Sequence, residues 1–222
     1  MPPSDWVKKS RLLTLSAFTL IELLVAVAIL AILAGLITLL IPQIQNRSHM
    51  AASLNNLRQI GAGVMMYTGE NNFALPGRVT SGQKWPYLVH EYLQNARVYA
   101  APGDTENFIR REANPLSNAR NETSYIMNGY NDLGTLDDET VVVRMNAVDQ
   151  PSKVILLAIP RTGSRHFYMD MLEGRGNHRD VLNLKAYGDG STFLFADGSA
   201  RFLTEETYDH RMWLVNPDFQ VP

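Results

Sequence analysis

Residues Phe18 to Ile41, FTLIELLVAVAILAILAGLITLLI, constrain this chain more than any other stretch. The run holds 24 residues and one charge, Glu22. At about 1.5 Å of rise per residue, a helix of this length crosses a hydrocarbon core of about 30 Å. A carboxylate at the centre of a bilayer costs roughly 2.5–3.5 kcal/mol on insertion scales. Something must offset that cost for Glu22, a partner or else protonation or a place in the headgroup region, and which of these it is bears directly on function.

Composition narrows the classes. With 222 residues, the chain has room for one span and one soluble domain of about 150 residues. The formal net charge is −2 and the basic residues are dispersed, so no nucleic-acid partner is evident. No cysteine is present, which excludes a disulfide framework, a thiolate metal site and a cysteine nucleophile. Lys8, Lys9 and Arg11 precede the apolar run, so the positive-inside rule places the amino terminus in the cytoplasm. A cleaved secretory signal is a poor fit. Its apolar region spans only about 7–15 residues before small residues, whereas this one ends in Leu40-Ile41-Pro42.

Past Pro42 the pattern becomes amphipathic. Leu54, Leu57, Ile60, Val64 and Tyr67 recur at spacings of three and four, with polar residues between them. One nearly continuous helix is predicted from Phe18 to Glu70, kinked at Pro42 and closed by Asn71-Asn72 and Pro76-Gly77. Trp85–Leu93 reads as a short helix, and residues 101–124 read as a long surface loop. Strand candidates are Thr140–Met145, Lys153–Ile159, Val181–Tyr187, Thr192–Ala196 and Ala200–Leu203. The last two flank Asp197-Gly198, a hairpin signal because the turn needs positive φ. The expected fold class is α+β: a long amino-terminal helix packed on a small antiparallel sheet.

The segment Ser16-Ala17-Phe18-Thr19-Leu20-Ile21-Glu22-Leu23-Leu24 resembles the processing site of type IV prepilins and type II secretion pseudopilins. The resemblance implies that a prepilin peptidase cuts between Ala17 and Phe18 and methylates the new amino terminus. That family usually has Gly before the cut, where this chain has Ala17. Cleavage would place a cation on Phe18, about 6 Å from Glu22 along the helix, supplying such a partner. In the family this acidic residue is thought to meet the amino terminus of a neighbouring subunit and set the stagger of a filament. Asn56-Leu57-Arg58-Gln59-Ile60-Gly61, Ser124–Gly129, Pro151–Leu157 and Phe193–Gly198 also resemble pseudopilin-like proteins with a processing-associated carboxy-terminal domain. Those proteins often carry Cys-Pro where this chain reads Ala101-Pro102, and a His nine residues before an Asp-Gly pair. Here His178 precedes Asp197-Gly198 with 18 residues between.

Other chemistry is sparse. His178, Asp189 and Asp197 form a candidate metal set, with Ca²⁺ as the ion that related pseudopilins bind in a carboxy-terminal loop. Both aspartates precede Gly, where a turn favours Asp for backbone reasons alone. Asp137-Asp138-Glu139 lacks EF-hand spacing and reads as a solvated loop. His90, His166 and His210 read as rim or surface residues, and Arg161, Ser164 and Arg165 as a weakly basic loop without a phosphate-cradle pattern. Trp85, Tyr87, Tyr92 and Tyr99 read as core rather than as a sugar-binding patch. No hydrolase, phosphate-loop or dinucleotide motif occurs.

The expected organisation is a leader at 1–17, a membrane and filament-core helix at 18–41, its amphipathic continuation at 42–70 and an extracytoplasmic head at 71–222. The resemblance implies a non-enzymatic filament subunit of the bacterial inner membrane, single-pass, with its head in the periplasm. The implied partners are prepilin peptidase, the membrane and other pilin or pseudopilin subunits in a homo- or hetero-oligomeric filament, with no cofactor. The alternative is a membrane-anchored binding module that uses the prepilin-type signal for export.

Overall fold

The computed structural model describes residues 19–78, 83–104, 123–135, 141–162, 164, 166–171 and 177–219. The leader, Phe18, most of the predicted 101–124 loop, Arg165 and Asp137-Asp138-Glu139 lie outside them. The chain divides into two compact units at the Pro42–Gln43 bond.

Helix α1 runs from Leu20 to Glu70 and carries Pro42 inside it. The helix assignment is unbroken at the predicted kink, although proline removes the amide that would bond the carbonyl of Thr38. Asn71 closes the helix as expected. Its backbone and side-chain nitrogens both donate to the carbonyl of Tyr67, at 3.0 and 2.8 Å. Asn72 and Phe73 then turn the chain with positive φ, 52° and 61°. The Phe73 amide donates to the carbonyl of Thr68, satisfying an orphan carbonyl of the last turn.

The head (Gln43 onward) is a five-stranded sheet covered on both faces. Its strands are β1 (Ile126–Asn128), β2 (Ile155–Ala158), β3 (Tyr168–Met169), β4 (Gly190–Phe195) and β5 (Ala200–Thr204). They lie in the order β3-β1-β2-β4-β5. The expected all-antiparallel sheet is corrected at one edge, where β1 and β3 pair in parallel. Two strand expectations fail. Of Thr140–Met145, the described residues make only an isolated bridge, Arg144 to Ala74, because their partner is the short run after α1 rather than a sheet strand. Val181–Tyr187 instead ends helix α3 (Asn177–Val181) and continues as turns, with one bridge from Leu182 to Pro160.

The β4–β5 hairpin forms where Asp197-Gly198 predicted it, with φ of +80° at Gly198. All six β4 residues are buried, which explains why Phe193, Leu194 and Phe195 follow one another without a polar residue between them. Leu194 joins a core with Leu57, Ile60 and Val64 of α1, each fully buried, while Phe193 and Phe195 join Trp213, Val181 and Met169 in a second cluster. Strand alternation thus sorts α1 to one face and the carboxy-terminal segment to the other. Helix α1 sits very close: a Cβ on Gly61 would stand 2.9 Å from Leu194 Cδ1 and 3.1 Å from the Gly198 carbonyl oxygen. Helix α2 (Trp85–Leu93) forms as predicted and covers α1 at Gly63 through Val89 and Leu93. Trp85 and Tyr99 are core residues packed edge to face, whereas Tyr87 is exposed and Tyr92 donates to Glu70 at 2.9 Å.

The Ser124–Gly129 motif is a latch. Asn128 Nδ2 donates to the carbonyls of Ile155 and Trp213, each at 2.8 Å, and its Oδ1 accepts the Tyr130 amide. Four residues on, Asp132 Oδ2 accepts the amides of Val215 and Asn216, both at 2.6 Å. Burial pushes the Asp132 carboxyl above its ordinary range, and those amides partly offset the shift.

Candidate functional site

At its amino terminus α1 begins with a reciprocal cap. Glu22 Oε2 accepts the Thr19 amide at 2.9 Å and the Thr19 hydroxyl at 2.7 Å, while Thr19 Oγ1 accepts the Glu22 amide at 3.3 Å. This is the capping-box arrangement, in which Thr-x-x-Glu satisfies helix amides that have no partner in the turn before. The carboxylate also lies at the positive end of the helix dipole, where an anion is favoured. The pattern was legible in Thr19-Leu20-Ile21-Glu22, yet the charge of Glu22 drew the reading to an external partner. Ala17 and Phe18 lie outside the described residues.

From this cap the helix presents a bare apolar surface. Leu24, Leu30, Ile32, Leu36 and Ile37 are all more than half exposed. Thr38, a polar residue in the run, donates its hydroxyl to the Gly35 carbonyl at 2.8 Å and so presents no unmet donor to an apolar medium. The most apolar 18-residue window of α1 has a mean hydropathy of 3.1, and α1 is the one helix among the described residues long and apolar enough to cross a membrane. A family model, the prokaryotic N-terminal methylation motif, matches residues 16–38. The chain carries a prepilin-type amino-terminal segment. Comparison with curated proteins and with solved structures returned no match. The prepilin-type segment and an α+β head led by a long helix fit a pilin-like layout, and the segment supports a membrane-anchored protein of prepilin type. The resemblance of the carboxy-terminal motifs has no counterpart in the comparisons, since the match ends at residue 38.

The other sequence candidates are dispersed across the head. His178 is buried in α3, its ring stacked on His210 at 5.3 Å between centroids and tilted against Tyr208. Asp197 Oδ1 accepts the amide and hydroxyl of Ser199, at 2.9 and 2.6 Å, and Oδ2 faces Arg201 at 3.3 Å. Its carboxylate is thus spent on shaping the hairpin turn. Asp189 is exposed in the turn before β4, where its carbonyl accepts the Glu205 amide. Among the described residues no group of three or more His, Asp or Glu side chains is placed to hold a metal ion. His90 packs beside Tyr99, His166 is exposed, and Asp104, in the stretch that replaces the family's cysteine, accepts the Ser124 hydroxyl at 2.6 Å.

Proposed function

We propose that this chain is a structural subunit of a type II secretion pseudopilus or a type IV pilus-like filament. Prepilin peptidase removes residues 1–17 on the cytoplasmic side of the bacterial inner membrane and leaves Phe18 as the mature amino terminus. The protein is held by α1 as a single span, with its head in the periplasm, until assembly with other pilin or pseudopilin subunits. One observation supports this most directly: the methylation motif coincides with a helix half whose large apolar side chains are exposed among the described residues.

That bare surface must be covered by something apolar. Lipid covers it in the stored subunit and neighbouring helices cover it in the filament, so transfer between them releases little free energy and costs little. Glu22 is then the polar exception. Capping its own helix keeps the carboxylate hydrogen-bonded during storage, and the Phe18 ammonium of a neighbour supplies the charge partner on assembly. A desolvated pair of this kind is directional, which suits a residue that sets subunit stagger.

Mass spectrometry of the protein from its native membrane tests the processing step. The expected product begins at N-methylated Phe18; an intact Met1 start would refute it. Glu22→Ala is expected to insert and to be cleaved but to yield few filaments, and wild-type filament yield would remove the stagger role.

A further inference from the structure

The head carries a basic cleft at the end where α1 leads into it. A Cβ at Gly188 would stand 4.0 Å from Asn46 Nδ2, and one at Gly103 would stand 3.0 Å from His49 Nδ1. Further along α1, Ser53 Oγ lies 2.7 Å from Thr192 Oγ1, and Gly61 meets the Asp197-Gly198 turn. The start of β4 therefore marks the end of the head nearest Gln43. Beside it, the loop after β2, the turns after α3 and the end of β5 enclose a cleft of about 470 Å³. Its polar lining is Arg161, Thr162, Arg179, Asn183, Lys185 and Glu205.

Three cations here face one carboxylate, in a chain whose net charge is −2. Glu205 takes Lys185 Nζ at 2.8 Å and Arg179 Nη1 at 3.5 Å, and these contacts hold its carboxyl below the usual range. All three side chains are substantially exposed, and pairs of this kind hold weakly and exchange with competing anions. Arg161 makes no ion pair among the described residues, and its amide is tied to the Val181 carbonyl at 2.7 Å. Its guanidinium fork matches the geometry of a phosphate. Thr162 adds a hydroxyl. The Asn183 Oδ1 accepts the Lys185 amide, leaving the side-chain NH₂ as a donor. Asp180 lies in α3 and Asp189 in the turn before β4, and neither lines the cleft.

We propose that this cleft binds the phosphate of an anionic phospholipid headgroup and holds the head at the bilayer surface while the subunit is stored. The inference rests on the membrane-held state proposed above. A basic surface on a membrane-held chain is attracted by anionic lipid over about one Debye length. The contact would be released when the subunit leaves the bilayer, so it belongs to the stored state alone.

The test uses the full chain in nanodiscs of phosphatidylcholine, with or without phosphatidylglycerol. Acylation of exposed amines is read by mass spectrometry. Lys185 lines the cleft, while Lys153, exposed near the far end of the sheet beside the hairpin turn, is the internal control. Phosphatidylglycerol is expected to slow acylation of Lys185 at least threefold relative to Lys153, and Arg161→Gln with Arg179→Gln is expected to abolish that protection. Equal rates in both lipids would overturn the proposal, and so would protection that survives in the double variant. Equal protection by inorganic phosphate in neutral nanodiscs would overturn the lipid assignment. Incorporation into nanodiscs reports anchoring separately, so loss of protection in an incorporated chain counts against the cleft and not against the membrane-held state.

Discussion

The two halves of α1 are both rich in apolar residues, yet the fold uses them in opposite ways. Between Leu20 and Ile41 the large apolar side chains are exposed on every side of the helix. Between Gln43 and Glu70 an apolar stripe runs along one face, and Leu57, Ile60 and Val64 are fully buried against the sheet. Hydrophobicity alone does not distinguish the halves. What distinguishes them is periodicity: an apolar stripe needs a partner surface of its own shape, whereas an apolar cylinder needs a medium. The second half therefore contributes to head stability, at roughly 1.5–3 kcal/mol for each large side chain buried.

Matched substitutions in the two halves test this contrast. Leu57→Ala should destabilise the head by about 2–5 kcal/mol through lost burial and a residual cavity, while Leu33→Ala, at a half-exposed position, should leave the head within about 0.5 kcal/mol of wild type. Denaturant unfolding followed through the Trp85 and Trp213 fluorescence reads both. Equal effects would mean that the first half is also folded into the head. A smaller contrast comes from glycine. Gly61→Val forces a side chain into Leu194 and the Gly198 carbonyl and should cost about 1–3 kcal/mol, whereas Gly35 has nothing within 4 Å and Gly35→Val should leave head stability unchanged.

The smallest expected effect is a pH dependence confined to the head. The folded pKa of Asp132 is raised, so its favourable contribution is complete below about pH 4, near the unfolded carboxyl value, and is lost as pH rises through the folded value. Asp132→Asn keeps an acceptor for the Val215 and Asn216 amides and removes that titration. The variant should therefore gain stability relative to wild type over a range of pH above about 4, read as a change in Tm difference. A constant difference across that range would show that burial of the carboxylate carries no penalty.

The legible features were local ones. Leu57, Ile60, Val64 and Tyr67 announced the buried face of α1, and Asp197-Gly198 announced its hairpin, because a helix face and a tight turn are each set by residues a few positions apart. The parallel β1–β3 pairing was not legible, since Tyr168–Met169 is two residues long and its partner lies about forty residues earlier. Thr140–Met145 misled through its β-branched run; its described residues pair across to Phe73–Leu75 by single bridges and bonds, without joining the sheet. The resemblance of Ser124–Gly129 was visible in the sequence, but its work was not: Asn128 reaches Trp213 across 85 residues, and no local pattern encodes that. The candidate metal set drew His178 together with two aspartates that the fold uses as turn residues.

The Asn128–Asp132 latch also governs timing. The second core cluster and both carboxylate-held amides need residues 213–216 in place. During synthesis from the amino terminus, that stretch is among the last parts of the described head to arrive. Until then Asn128 and Asp132 have no one to hold, and Phe193 and Phe195 lack the Trp213 that covers them. The second core cluster and the buried ends of Asn128 and Asp132 are therefore completed only by residues far along the chain.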